Sequence, residues 1–259
     1  MAVRRIFPTL VAGLLAAGVL AGCGATEATA PPSGNGPKIV ASTTWEAGIA
    51  KAAGADRVRV IVPGSVGHAP DYDPKPSDLA AVADADFVLY APFESFAGRI
   101  KEAAGSKARL VEVNLDNGKD RLTAEVTRLA ALFGTQQAAA AWNTAFDQEY
   151  RKLAGELRSA WPGGQQPTVV SQLFVAYAAE LTGAAVVGTF GPHPVTASQL
   201  AELSGRKPQF VFDNAHMSTG TALPDAGAEQ VMIVNYPGDD LDLLKVFRTN
   251  TRTIIGALG

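Results

Sequence analysis

His68, His193 and His216 are the only histidines in the 259-residue chain, and each stands in a loop just after a β-rich run. Neutral imidazole is the commonest ligand for zinc, copper, iron and nickel, while carboxylate oxygens shift preference toward manganese and harder ions. Asp71, Asp73, Asp213 and Gln172 lie in or beside the same loops. Three imidazoles and one of these oxygens are enough for a tetrahedral zinc site with metal–ligand distances of about 2.0 to 2.2 Å. Gln172, Asn214 and Asn235, with the rings of Tyr72, Phe174 and Tyr236, offer a second chemistry. Amides donate and accept hydrogen bonds but are weak zinc ligands, so such a lining suits an already chelated metal or a small organic solute. A loop histidine taken singly is an ordinary surface residue. It is the shared position outside the carboxyl ends of strands that points to a site.

Catalytic arrangements are absent from the sequence. It has no Gly-x-Ser-x-Gly elbow, no phosphate-cradling glycine loop and no His-Glu-x-x-His, and its one cysteine is Cys23. Asp239, Asp240 and Asp242 cluster at a helix start, where acidic residues cap the helix and favour its dipole. The expectation is a binding protein, not an enzyme.

Cys23 closes a different pattern. Arg4 and Arg5 precede an uncharged apolar run over residues 6–21, which has the charged and apolar regions of an export signal. That run is shorter than the roughly 20 residues a membrane span needs. Leu20-Ala21-Gly22-Cys23 resembles the lipobox of bacterial lipoproteins, in which the cysteine thiol carries a diacylglyceryl group. A lone cysteine in an exported chain cannot form an internal disulfide, and lipidation gives it a purpose. Several acyl chains, palmitate among them, hold a protein far more firmly than one. The implied location is the extracytoplasmic face of the cell membrane.

The elements that must position the candidate ligands follow from periodicity. Residues 1–22 read as the signal peptide and 23–37, rich in Gly, Ser, Pro and Ala, as a flexible tether. Residues 38–135 alternate short β-rich runs (38–42, 58–62, 87–90, 109–113) with helical stretches, the unit of a parallel sheet. Trp142, Phe146, Tyr150, Leu153, Leu157 and Trp161 keep helical spacing, which predicts one long helix from Gln136 to its stop at Pro162. A second α/β series occupies 163–259, with strands at 168–171, 185–188, 210–212 and 231–234. The fold class is therefore α/β. Two lobes, each a mostly parallel four-stranded sheet flanked by helices, are joined by one connecting helix at 136–162, and two lobes over a cleft make a natural small-ligand site. Without Arg4 and Arg5 the 22 basic residues fall to 20 against 25 acidic, with no basic cluster, which argues against nucleic acid as a partner.

The motifs resemble the zinc- and manganese-binding solute-binding proteins of bacterial ABC importers, over nearly all of residues 38–259. Tyr72-Asp-Pro74-Lys-Pro76-Ser77-Asp78 matches the Tyr-x-Pro-x-Pro-Ser-Asp half of that family's first metal loop. The segment at Gln172 with Tyr177, the run Gly191-Pro192-His193-Pro194, and a closing helix with Asn250 also resemble it. The resemblance implies a monomeric receptor that captures a transition-metal ion as cargo, zinc first and manganese second, for an ABC importer permease. Read from the loops themselves, the candidate metal ligands are His68, His193, His216, Asp71 and Gln172, with Tyr72, Asn214 and Asn235 as ligand contacts. The pattern also departs from the family. His68 stands two positions early, its usual place holding Pro70, and no histidine lies between His68 and His193. Gln172 and Asn235 stand at or near two further ligand positions. These departures keep open a receptor for a chelated metal or organic solute whose free-ion site is lost.

Overall fold

The computed structural model describes residues 35–259 except 67, 68, 70, 71, 219 and 225. The export signal, Cys23, most of the tether, His68 and Asp71 lie outside the described residues. Strands β1 (Ile39–Ala41), β2 (Val58–Val60), β3 (Phe87–Tyr90) and β4 (Arg109–Glu112) form one sheet in the order β2-β1-β3-β4, every pair parallel. Strands β5 (Thr168–Gln172), β6 (Ala185–Phe190), β7 (Phe210–Asn214) and β8 (Glu229–Ile233) form a second, in the order β6-β5-β7-β8, again all parallel. The two sheets thus repeat one topology. The two-lobed α/β class read from the sequence is the one observed.

Both faces of each sheet are covered, as a parallel sheet requires. Alternation along the strands divides the apolar side chains. Ile39, Ala41, Leu89, Val169, Phe210 and Phe212 enter a central core, whereas Val40, Val88, Val170 and Val211 pack into two smaller outer cores, one per lobe. The central core is continuous. It runs from β1 through helices α1 (Thr44–Ala52) and α4 (Lys119–Phe133) into α5 (Gln136–Ser159), and on to α6 (Ala176–Thr182) and α8 (Leu243–Leu258). Helices α2 (Pro76–Ala83), α3 (Ala97–Ala104) and α7 (Ala197–Gly205) cover the outer faces.

Local chemistry sets the helix ends. Thr43 and Glu46 form a reciprocal capping box at the start of α1, and Thr196 with Gln199 does the same for α7. Gly134, at φ 77°, ends α4 in the left-handed conformation that glycine adopts without steric cost. Helix α5, 24 residues and about 36 Å long, is the predicted connector. It ends at Ser159, two residues before Trp161, which turns back to donate Nε1 to the Thr182 carbonyl at 3.1 Å. Phe146 on α5 sits at 0% exposure, stacked on Trp142 of the same helix, and Phe146 and Tyr150 meet Phe247 of α8 edge-on, which binds the connector to α8. Helix α8 begins at Leu243 because Asp242 caps it, accepting from Lys245 N at 3.2 Å. Asp242→Ala is expected to lower stability by about 1 kcal/mol, read as a lower urea midpoint at unchanged m-value.

Candidate functional site

In an open parallel sheet, the crevice forms at the carboxyl ends of the strands where the connections change direction. With orders β2-β1-β3-β4 and β6-β5-β7-β8, those points lie between β1 and β3 and between β5 and β7. Gln172 ends β5, and Asp213 lies near the end of β7. Together with Phe190, His193 and Met217 they line a recess of about 210 Å³.

Each side chain in this recess is held by its own loop. Gln172 is buried, and its Oε1 accepts from Phe174 N at 2.7 Å. Its amide nitrogen packs against Gly191, at φ 93°, where a Cβ would come within 3.0 Å of Gln172 Nε2. Asp213 is also buried and accepts three hydrogen bonds, from Asn214 N at 2.8 Å, Ser218 Oγ at 2.6 Å and Gln230 Nε2 at 3.0 Å. His193 is exposed on the rim. The loop after β7, which carries Met217, also carries His216, whose backbone N–H donates to Asn214 Oδ1 at 3.0 Å. Burial pushes the His216 imidazole down to a pKa of about 4, so it is neutral at physiological pH, and its Nε2 is buried without a hydrogen-bond partner. Its ring stacks on Tyr236, with centroids 3.6 Å apart and planes 18° apart.

Tyr236 continues the stack across the lobe boundary to Trp45, at 5.6 Å. Beside these rings runs a chain of neutral groups. Trp45 Nε1 donates to Asn117 Oδ1 at 3.1 Å, and Asn117 Nδ2 donates to the Asn235 carbonyl at 2.6 Å and to Asn235 Oδ1 at 3.2 Å. Asn117 and Asn235 are 2% and 1% exposed. Tyr177 and Asn250 extend the network. Tyr177 OH donates to the Val234 carbonyl at 2.6 Å, and Asn250 Nδ2 donates to Tyr177 OH and to the Val234 carbonyl, both at 2.8 Å. Burial raises the Tyr177 phenol well above its usual range, so it stays neutral.

Among the described residues no group of three or more His, Cys, Asp or Glu side chains is gathered as a metal cage. The candidates instead occupy separate stations. Gln172, Asp213 and His193 share the recess, and His216 and Asn214 belong to its β7 loop. Asn235 lies in the interlobe network. Tyr72 packs on the outer core of the N-terminal lobe, and its hydroxyl donates to Asp78 Oδ2 at 2.9 Å. Asp73 pairs with Arg99 at the surface. Sequence reasoning missed Asn117, whose role depends on a partner 118 residues away. It also missed Glu46 and Glu94, two buried carboxyls that lie against each other. Glu46 has the visible signal of a capping box, but its buried neighbour lies in another loop.

No protein-family model and no curated protein sequence matches the chain. Solved structures do match. The laminin-binding protein Lbp of Streptococcus pyogenes aligns with a TM-score of 0.64 at 17% identity, covering 86% of this chain and 99% of its own. The periplasmic zinc-binding protein TroA from Treponema pallidum gives 0.61 at 17% identity, over 86% of this chain and 99% of its own. The solute-binding protein FpvC from P. aeruginosa, solved with Ni2+, gives 0.64 at 15% identity, over 86% and 96%. Similarity at this level speaks to architecture. The chain has the two-lobed α/β fold of these proteins.

Proposed function

We propose that this chain is an extracytoplasmic lipoprotein, anchored through Cys23, that captures a transition-metal ion and passes it to an ABC importer permease. The cargo is zinc, with manganese second. One observation carries the reading: the neutral, half-buried imidazole of His216 keeps a buried Nε2 unpartnered, just beyond β7 and beside Met217 of the recess of Gln172, His193 and Asp213. A neutral imidazole with an unshared nitrogen is a ready ligand for zinc. His68 and Asp71, from the loop of the N-terminal lobe, complete the proposed donor set. The fold shared with proteins described as zinc-binding and as holding Ni2+ supports a metal cargo. A lipid anchor would keep the receptor at high effective concentration beside its permease. No reactive constellation argues for catalysis.

The experiment is calorimetry on the full chain stripped of metal. Zinc is expected to bind, and His216→Ala and His193→Ala are each expected to weaken it by at least about tenfold. Unchanged zinc affinity in both variants would remove these histidines from the site. A second reading is favoured by the neutral amide and ring strip between the lobes and by exposed Leu173, Phe174 and Met217 at the C-terminal lobe's strand ends. It takes the cargo as a chelated metal or small organic solute. Binding of a metal–chelator complex with no binding of free zinc would select it.

A further inference from the structure

A histidine that ligates a metal ordinarily donates its second ring nitrogen to a carboxylate, carbonyl or water, and that bond sets where the ligating nitrogen points. Among the described residues neither ring nitrogen of His216 has such a partner. The ring is held by stacking instead, face to face on Tyr236 with centroids 3.6 Å apart. The lone pair of an imidazole nitrogen lies in the ring plane, so fixing that plane fixes the plane in which Nε2 can meet an ion.

Tyr236 is in turn fixed from the opposite lobe. The residues on either side of it are both hydrogen-bonded there: the Asn235 carbonyl accepts from Asn117 Nδ2 at 2.6 Å, and the Pro237 carbonyl accepts from Thr44 Oγ1 at 2.7 Å. Its own ring packs on Trp45. Pro237 lies so close to α1 that a Cβ on Gly48 would come within 2.9 Å of the proline ring. Farther along, Asp239 Oδ1 accepts from Gly64 N at 2.9 Å, and the Asp240 carbonyl accepts from Lys51 Nζ at 2.8 Å. The segment between β8 and α8 thus belongs to the C-terminal lobe in sequence and is fastened to the N-terminal lobe along its length.

We propose that Tyr236 is a positioning residue for the cargo: through Thr44, Trp45 and Asn117, the N-terminal lobe sets the ring plane of His216, a ligand carried by the C-terminal lobe. The inference rests on the reading of His216 as a zinc ligand. Zinc affinity then depends on the contact between the lobes, and by linkage a bound ion strengthens that contact by the same factor. Parting of the lobes would release the stack, free the imidazole to turn and lower affinity without any change to a ligand.

The test titrates the full chain, stripped of metal, with Co2+, whose visible absorption reports the geometry around the ion where zinc is silent. Tyr236→Leu is expected to weaken Co2+ binding at least about tenfold and to change the absorption band. Tyr236→Phe keeps the ring and should restore both. Trp45→Leu, in the opposite lobe, should weaken binding by at least about threefold. If Tyr236→Leu fails to fold by far-ultraviolet circular dichroism, Trp45→Leu decides. Wild-type affinity and band in either folded leucine variant overturn the inference, and His216 stays in the site provided that His216→Ala still weakens binding. Equal Co2+ binding by the wild type and His216→Ala, or none by either, removes the zinc-ligand reading and this inference with it.

Discussion

Replacing Glu94 by glutamine is expected to stabilise the protein at alkaline pH and to make its decline in stability above about pH 6.5 shallower. Burial, followed by the charge of Glu46, raises the Glu94 carboxyl from 4.5 to about 9, and burial raises Glu46 as well. A carboxyl with a raised folded pKa binds more protons in the native than in the unfolded state, so stability falls as pH rises from about 4.5 to about 9. The loss across that window is on the order of 3 to 6 kcal/mol, the upper part being a bound. His216 acts in the opposite sense. Its pKa is lowered from 6.5 to about 4, so its contribution is lost as pH falls through that interval. The wild-type profile is therefore expected to be nearly level from about 4.5 to 6.5, where the two slopes oppose, and to decline above it. Glu94→Gln should reduce the decline above about 6.5, leaving the part that the raised Glu46 carboxyl contributes, and should uncover the rise from about 4 to 6.5 that belongs to His216. Urea melts at several pH values read the effect directly, and a decline that survives Glu94→Gln undiminished would assign it to other groups.

Asn117→Ala is expected to cost about 2 to 4 kcal/mol, because it leaves several buried polar groups without partners. The lost bonds are those to Trp45 Nε1, the Asn235 carbonyl and Asn235 Oδ1. Two of the three cross between lobes in a strip where Asn117 and Asn235 are almost wholly buried, so water can replace them only if the lobes part. A double-mutant cycle with Asn235→Ala should show coupling of about 1 kcal/mol or more, as residues of one network do. Additive losses would mean that the two amides do not act together.

These two expectations rest on residues that the sequence alone did not single out, and the reason is physical. Strands and helices depend on short-range pattern. Val40 and Val88 alternate with Ile39 and Leu89, and Phe146, Tyr150 and Leu153 recur at helical spacing, so the two-lobed architecture was legible. The tight boundaries were not, since Ser159 ends its helix through a contact of Trp161 with Thr182. Histidines attract notice because their chemistry is visible in isolation. Asn117 is one of several loop asparagines until Asn235 arrives beside it, and Glu46 reads as a helix cap until Glu94 is folded against it. Tyr72 shows the converse. Its motif marks it for a ligand, but its hydroxyl is engaged by Asp78 and its ring by the outer core.

The central core has a consequence for what a lobe is. Ile39 and Leu89 of one sheet, Phe146 and Leu157 of the connector, and Phe212 and Phe247 beyond it belong to a single apolar cluster. Neither half carries a complete interior of its own. The division into two lobes is thus architectural, and a single transition shared by both is the expected result of a thermal melt. Exchanging one lobe for that of another protein of this fold would cut through shared interior surface, whereas loops at the strand ends can change without disturbing it.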